Sequence, residues 1–159
     1  MISRPNPAEN YESAIRLFET LRTQEPQGMN PLCRNQLLTR GFRTERSIVL
    51  VHGYTSAPPQ FHTLGHEFFQ RGFNVLMSPL PRHGLAERMT RVHGGLTAEE
   101  LAAFADRTLD VAAGLGNRVT IMGLSMGGVT AAWAAQHRKD LDLSIIISPA
   151  FGFRKIPER

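Results

Sequence analysis

Residues 118–129 read Arg118-Val119-Thr120-Ile121-Met122-Gly123-Leu124-Ser125-Met126-Gly127-Gly128-Val129. A short apolar run ends in a glycine-flanked serine, and an alanine-rich helical segment follows from Met126 to about His137. Gly123, Ser125 and Gly127 stand in the spacing Gly-x-Ser-x-Gly, which suits a tight strand-to-helix turn with a serine at its tip. Such a turn brings the residues two before and two after the serine against neighbouring backbone, so both positions call for glycine. Gly128 lets the helix close on the strand. A glycine-rich turn carrying an incidental serine is the plainer alternative for the motif taken alone.

Working outward, Ile48-Val49-Leu50-Val51, Phe73-Asn74-Val75-Leu76-Met77 and Leu143-Ser144-Ile145-Ile146-Ile147 are three more apolar runs of strand length. Helical patterns separate them. Gln60 to Arg71 carries Phe61, Leu64 and Phe68 on its inward face and stops at Gly72. Thr97 to Leu115 opens on a Thr97/Glu100 capping box and lines one face with Leu101, Phe104, Ala105, Leu109, Ala112 and Leu115. Four continuous apolar strands alternating with helices predict an α/β fold, a mostly parallel sheet with helices on both faces. Ahead of it, Gln36-Leu37-Leu38-Thr39 and Phe42-Arg43-Thr44 around Gly41 are expected as an antiparallel lead-in. The first helix is expected to be capped by Asn6, with Pro7 at its first position and Glu9 closing the box; Tyr11, Ala14, Ile15, Phe18 and Leu21 form its apolar face. Residues 1–30 thus read as an N-terminal helix and linker, and residues 31–159 as the main domain.

The 159 residues are 42% hydrophobic and 20% charged, enough for one domain with a real core and contrary to disorder. The net charge of +4 comes from scattered arginines, with no basic run to support nucleic-acid binding. One cysteine, Cys33, excludes an internal disulfide and fits a reducing, cytoplasmic setting. The start of the chain does not read as a signal peptide, and no stretch approaches a membrane span. No His/Cys/Asp/Glu cluster has metal-ligand spacing, and neither a metal nor a cofactor is expected.

In an open parallel sheet, ligands bind beyond the carboxyl ends of the strands. His52-Gly53-Tyr54, Pro81-Arg82-His83-Gly84 and Ser125 all follow strands, so they converge on one rim. Together with their order and spacing, these segments resemble the α/β-hydrolase family, in its carboxylesterase and monoacylglycerol-lipase-like branch. The likeness runs from about Gln36 to Phe151. It implies Ser125 as a nucleophile and an oxyanion hole made by the backbone N–H groups of Tyr54 and Met126. It also implies hydrolysis of a carboxylic ester, with a small acyl ester or a monoacylglycerol as substrate. Thioesterases, peptidases and acyltransferases share the elbow and stay open as alternatives.

The histidines divide by position. His52 and His83 read as braces of the loops at the rim; His62, His66 and His93 read as surface or loop residues. His137 lies twelve residues along the helix, roughly 18 Å from Ser125 and too far to act as its base. This fold takes its acid and histidine after the serine, in that order. Downstream stand only Asp140, Asp142, Glu158 and His137, and both aspartates precede a strand, at the wrong edge of the sheet. The chain is therefore expected to be the N-terminal part of a serine hydrolase, with a C-terminal segment missing and an isoleucine-rich strand left as an edge. The alternative function is a non-catalytic or truncated hydrolase-fold module that needs a partner segment. A nucleotide-binding reading finds no G-x-G-x-x-G after any strand.

Overall fold

The apolar runs become β1 (Gln36–Leu38), β2 (Thr44–Val51), β3 (Asn74–Met77), β4 (Gly116–Leu124) and β5 (Leu143–Ile147). The structure is a computed structural model and describes residues 2–87 and 91–152. One sheet holds the strands in the order β1-β3-β2-β4-β5. β2 runs parallel to β3 and β4, β4 runs parallel to β5, and β1 is antiparallel to β3. The chain steps from β2 to β3 on one side and then to β4 on the other, so its direction of winding reverses between β2 and β4. Their carboxyl ends therefore flank the crevice in which this kind of sheet binds ligands.

Side-chain alternation along β2 divides the core. Val49 and Val51 pack with α1 (Tyr11–Thr23), α3 (Ala98–Leu115) and α4 (Met126–His137). Ile48 and Leu50 point the other way, into a cluster with Phe61, Val75, Met77 and Met122, beside α2 (His62–Gln70). Helices thus lie on both faces. β5 is the exception to full cover: Ser144 donates a hydrogen bond to Ala131 O of α4 on one face, while Leu143, Ile146 and Ile147 are exposed along the sheet edge. Among the described residues, no helix is long and apolar enough to cross a membrane.

Several local expectations shift. The first helix starts at Tyr11, with Asn10 as its cap: Asn10 Oδ1 accepts the Ser13 N–H and Ser13 Oγ accepts the Asn10 N–H. The Asn6-Pro7-Ala8 stretch is instead held to α3, where the Ala8 N–H donates to Asp110 O. The antiparallel lead-in forms through β1, but against β3, while Thr44 opens β2 itself and continues into Ile48–Val51. Leu64 faces outward, and Gly65 takes its place toward the sheet; a Cβ there would lie 2.8 Å from Met77 Sδ. A glycine at that point lets α2 lie close to β3. The Thr97/Glu100 capping box and the Met126–His137 helix form as expected. Glu158 and the tail from Arg154 lie outside the described residues.

A buried cation locks the helical layer. Arg138, just past α4, places Nη1 3.2 Å from Asp106 Oδ1 and Nη2 2.8 Å from Asp110 Oδ1 and 2.7 Å from Asp140 Oδ2. Asp106 also accepts from Ser3 Oγ and the Arg4 N–H, which draws the N-terminal segment into the same knot. Burial pushes the Asp110 carboxyl upward against the pull of Arg138, and the bond from Arg138 holds Asp140 below the usual carboxylate range. Removing one partner of a buried ion cluster leaves uncompensated charge. Arg138→Ala is therefore expected to destabilise the fold by about 3–5 kcal/mol, read as a lower urea midpoint. An unchanged midpoint would show that the cluster is solvated in solution.

Candidate active site

Ser125 is the residue between β4 and α4, and its backbone is strained. It has φ 57° and ψ −111°, a conformation rare for a residue with a side chain. The flanking glycines show how the turn is made. A Cβ on Gly123 would overlap the carbonyl of Gly127, and one on Gly127 would overlap Val51 O and lie 2.7 Å from His52 O. The obstructing atoms are backbone, so no rotamer change relieves them. Gly128 meets the end of β5: a Cβ there would lie 3.0 Å from Ile147 O. The Ser125 N–H donates to Ile147 O at 3.0 Å, and its carbonyl accepts the Val129 and Ala150 N–H groups. The turn is thereby pinned to the end of β5 and to α4.

Across from the serine runs the loop after β2. Residue pairing of Val51 with Gly123 brings Gly53 beside the elbow, where its missing Cβ would lie 3.6 Å from Ser125 Cβ and from Leu124 O. Hydrogen bonds hold its successive peptides from His52 to Ser56. The buried Gly53 N–H donates to Gln60 Oε1 at 2.9 Å. Gly53 O accepts from His52 Nδ1 at 2.8 Å and from the Ser56 N–H at 3.0 Å. Tyr54 O lies 2.6 Å from His83 Nε2. With Gly53 O turned toward His52 and Ser56, the Tyr54 N–H on the same trans peptide points the opposite way. The phenol of Tyr54 donates to His93 O at 3.0 Å.

His52 is fully buried. Its Nε2 accepts the Leu80 N–H at 2.9 Å, so Nδ1 carries the proton that goes to Gly53 O. Burial pushes its imidazole down to about 4, with nearby His83 acting in the same direction and the bond to Gly53 opposing. His52 is thus a neutral brace joining the loop after β2 to the loop after β3, as its place in the sequence suggested. His83 likewise spans Pro81 O, at 2.8 Å from Nδ1, and Tyr54 O. His93 departs from expectation: its ring stacks edge-on to Tyr54, and its carbonyl holds the phenol. His62 and His66 meet edge to face on exposed α2. His137 bonds Trp133 O and stacks on that indole.

Among the described residues, none of these histidines bonds Ser125. The downstream aspartates are also committed elsewhere, Asp142 to the Val119 N–H and Asp140 to Arg138. A cleft of about 510 Å³ lies beside the loop, lined by Tyr54, Ser56, Arg82, His83, Glu87 and His93. Arg82, itself at φ 66°, sends Nε to both oxygens of Glu100 and so ties this rim to the first turn of α3. Cys33, half-buried, packs toward Gly84, where a Cβ would lie 2.9 Å from its own. Sequence reading missed Gln60 as part of this site. The available signal was Pro58-Pro59, which stiffens the turn just ahead of it.

Comparison with known proteins agrees with this fold. The family described as serine aminopeptidase, S33, matches residues 43–158. A thermostable monoacylglycerol lipase of Bacillus sp. (strain H-257) is 29% identical over 101 residues, which span 59% of this chain and 36% of the lipase. Est1E of Butyrivibrio proteoclasticus, solved with ferulic acid bound, superposes with TM-score 0.57 at 20% identity, covering 74% of this chain and 49% of that one. MenH of S. aureus superposes with TM-score 0.53 at 22% identity, covering 77% and 44%. At these identities the two structures speak for the fold. The chain spans about a third of the lipase and less than half of either solved structure.

The His52 environment makes a pH prediction. Its folded pKa lies below the unfolded value of 6.5, so the unfolded chain takes up the proton first. The stability it contributes is present above about pH 6.5 and lost as pH falls toward about 4, by up to about 3 kcal/mol. Urea midpoints measured across this window should fall with acid in the wild type. The fall should be shallower in His52→Gln; equal slopes would count against the buried neutral imidazole.

Proposed function

Because the chain belongs to the serine aminopeptidase, S33, family of α/β hydrolases, we propose that it carries the nucleophile half of a carboxylic ester hydrolase. Ser125 is the nucleophile, and the Tyr54 and Met126 N–H groups are the oxyanion donors. One observation carries the reading: a strained serine at φ 57°, between glycines whose places no side chain fits, beside the loop after β2. In this mechanism Ser125 Oγ attacks the ester carbonyl and its proton passes to a base. The carbonyl oxygen becomes an anion facing the two N–H groups. Collapse expels the alcohol, which takes up the proton, and water then releases the acid by the same steps. The likeness to a monoacylglycerol lipase supports a small acyl ester or a monoacylglycerol as the substrate. Residues 31–159 form the N-terminal part of the hydrolase domain, after an N-terminal helix and linker in residues 1–30; the setting is cytoplasmic.

A second reading applies to the chain by itself. No histidine bonds Ser125 among the described residues, Asp140 and Asp142 are occupied, and β5 is an open edge. The 159 residues then act as a hydrolase-fold module that needs a partner segment supplying acid and base.

Two assays separate the readings. The purified chain should hydrolyse a short-chain nitrophenyl ester no faster than its Ser125→Ala variant. Ser125-dependent turnover on the order of 10 per second would instead show that a histidine of this chain reaches the serine. Supplied with a C-terminal segment carrying the acid and the histidine, the chain should be labelled by a fluorophosphonate, and Ser125→Ala should abolish the label. Equal labelling of the variant would remove Ser125 from the role.

A further inference from the structure

We propose that Gln60 is a positioning residue of the oxyanion loop, acting through the peptide between His52 and Gly53; the catalytic part of this role rests on the reading of Tyr54 and Ser125 given above. Gln60 is exposed, yet its Oε1 accepts the N–H of buried Gly53 at 2.9 Å. A glutamine on a surface turn ordinarily leaves its amide in water, because ordering a long side chain costs conformational entropy. Here the turn itself is stiff. Pro58 and Pro59 open the short 3-10 segment Pro58–Phe61, Pro58 is buried, and the Gln60 N–H is tied to Ala57 O at 2.9 Å. The chain leaves Gly53, closes on itself through the Ser56 N–H to Gly53 O bond, and returns at Gln60 to hold the Gly53 N–H.

The peptide so held lies between two parts of the site. On one side is Gln60. On the other is α4, where a Cβ on Gly127 would lie 2.7 Å from His52 O. A rotation of this peptide swings His52 O against the first turn of α4 and also moves the imidazole that fixes Gly53 O. Gln60 thus anchors the residue whose side chain aims the next peptide, the one bearing the Tyr54 N–H. With Oε1 engaged at Gly53, the role belongs to the acceptor end of the amide.

Amide hydrogen exchange of the 159-residue chain, followed by NMR, tests this without any turnover. In Gln60→Ala the Gly53 amide should exchange about tenfold faster, the effect of one typical hydrogen bond, while Ile48 and Val49 amides keep their protection. In Gln60→Glu an acceptor remains, so protection should persist, and the Gly53 amide resonance should follow the titration of the introduced carboxylate. Unchanged Gly53 exchange in Gln60→Ala, or a Gly53 resonance indifferent to that titration, would overturn the proposal. If Gln60→Ala fails to fold, the titration decides alone. Loss of Gly53 protection together with no Ser125 labelling in the completed wild type would uphold the anchoring and refute the hydrolase reading instead.

Discussion

The contact on which this architecture depends is the approach of Gly127 to the carboxyl end of β2. A Cβ at Gly127 would strike Val51 O, and one at Gly123 would strike Gly127 itself. The start of α4 therefore presses onto two strands at once, a closeness only bare backbone permits. That pressure holds Ser125 in its strained conformation, and it also sets the distance between the serine and the loop after β2. Remove it and the sheet order would survive, but the serine and the Tyr54 N–H would no longer share one rim.

Around that contact the polar groups form a second framework. The neutral His52 imidazole accepts from Leu80 and donates to Gly53, so a single ring couples the loops after β2 and β3. His83 adds a parallel link from Pro81 to Tyr54. Such couplings fix the loops after β2 and β3 where they face the serine. Away from the rim, the Arg138 cluster joins α3, α4 and the first residues of the chain, so the segment before α1 belongs to the packing of the helical layer.

The other side of the molecule is unlike this. Among the described residues β5 pairs with β4 alone, Leu143, Ile146 and Ile147 are exposed, and no charge interrupts its Leu143–Ile147 run. Open edges of this kind invite another strand. The carboxyl end of β5 already touches Ser125 through Ile147 and Ala150. A strand added beyond it in parallel would thus end near Ser125.

Local sequence determined a great deal. Apolar run length named the strands of the parallel sheet, Thr97 and Glu100 announced the third helix, and the Gly123, Ser125 and Gly127 spacing located the tight turn between β4 and α4, because each signal lies within one turn or one strand of its consequence. Errors fell where two local signals competed, as at Asn6 and Asn10, which both offer a cap; the pull of α3 on Ala8 chose the later one. Only the tertiary structure decided that β4 lies beside β2, that β1 pairs with β3, and that Gln60 and His93 reach the loop around Tyr54. The physical reason is the range of the interactions. A cap or a turn is written in neighbouring residues, whereas a hydrogen bond from Tyr54 to His93 spans thirty-nine positions and exists only once the sheet has brought its loops to one edge.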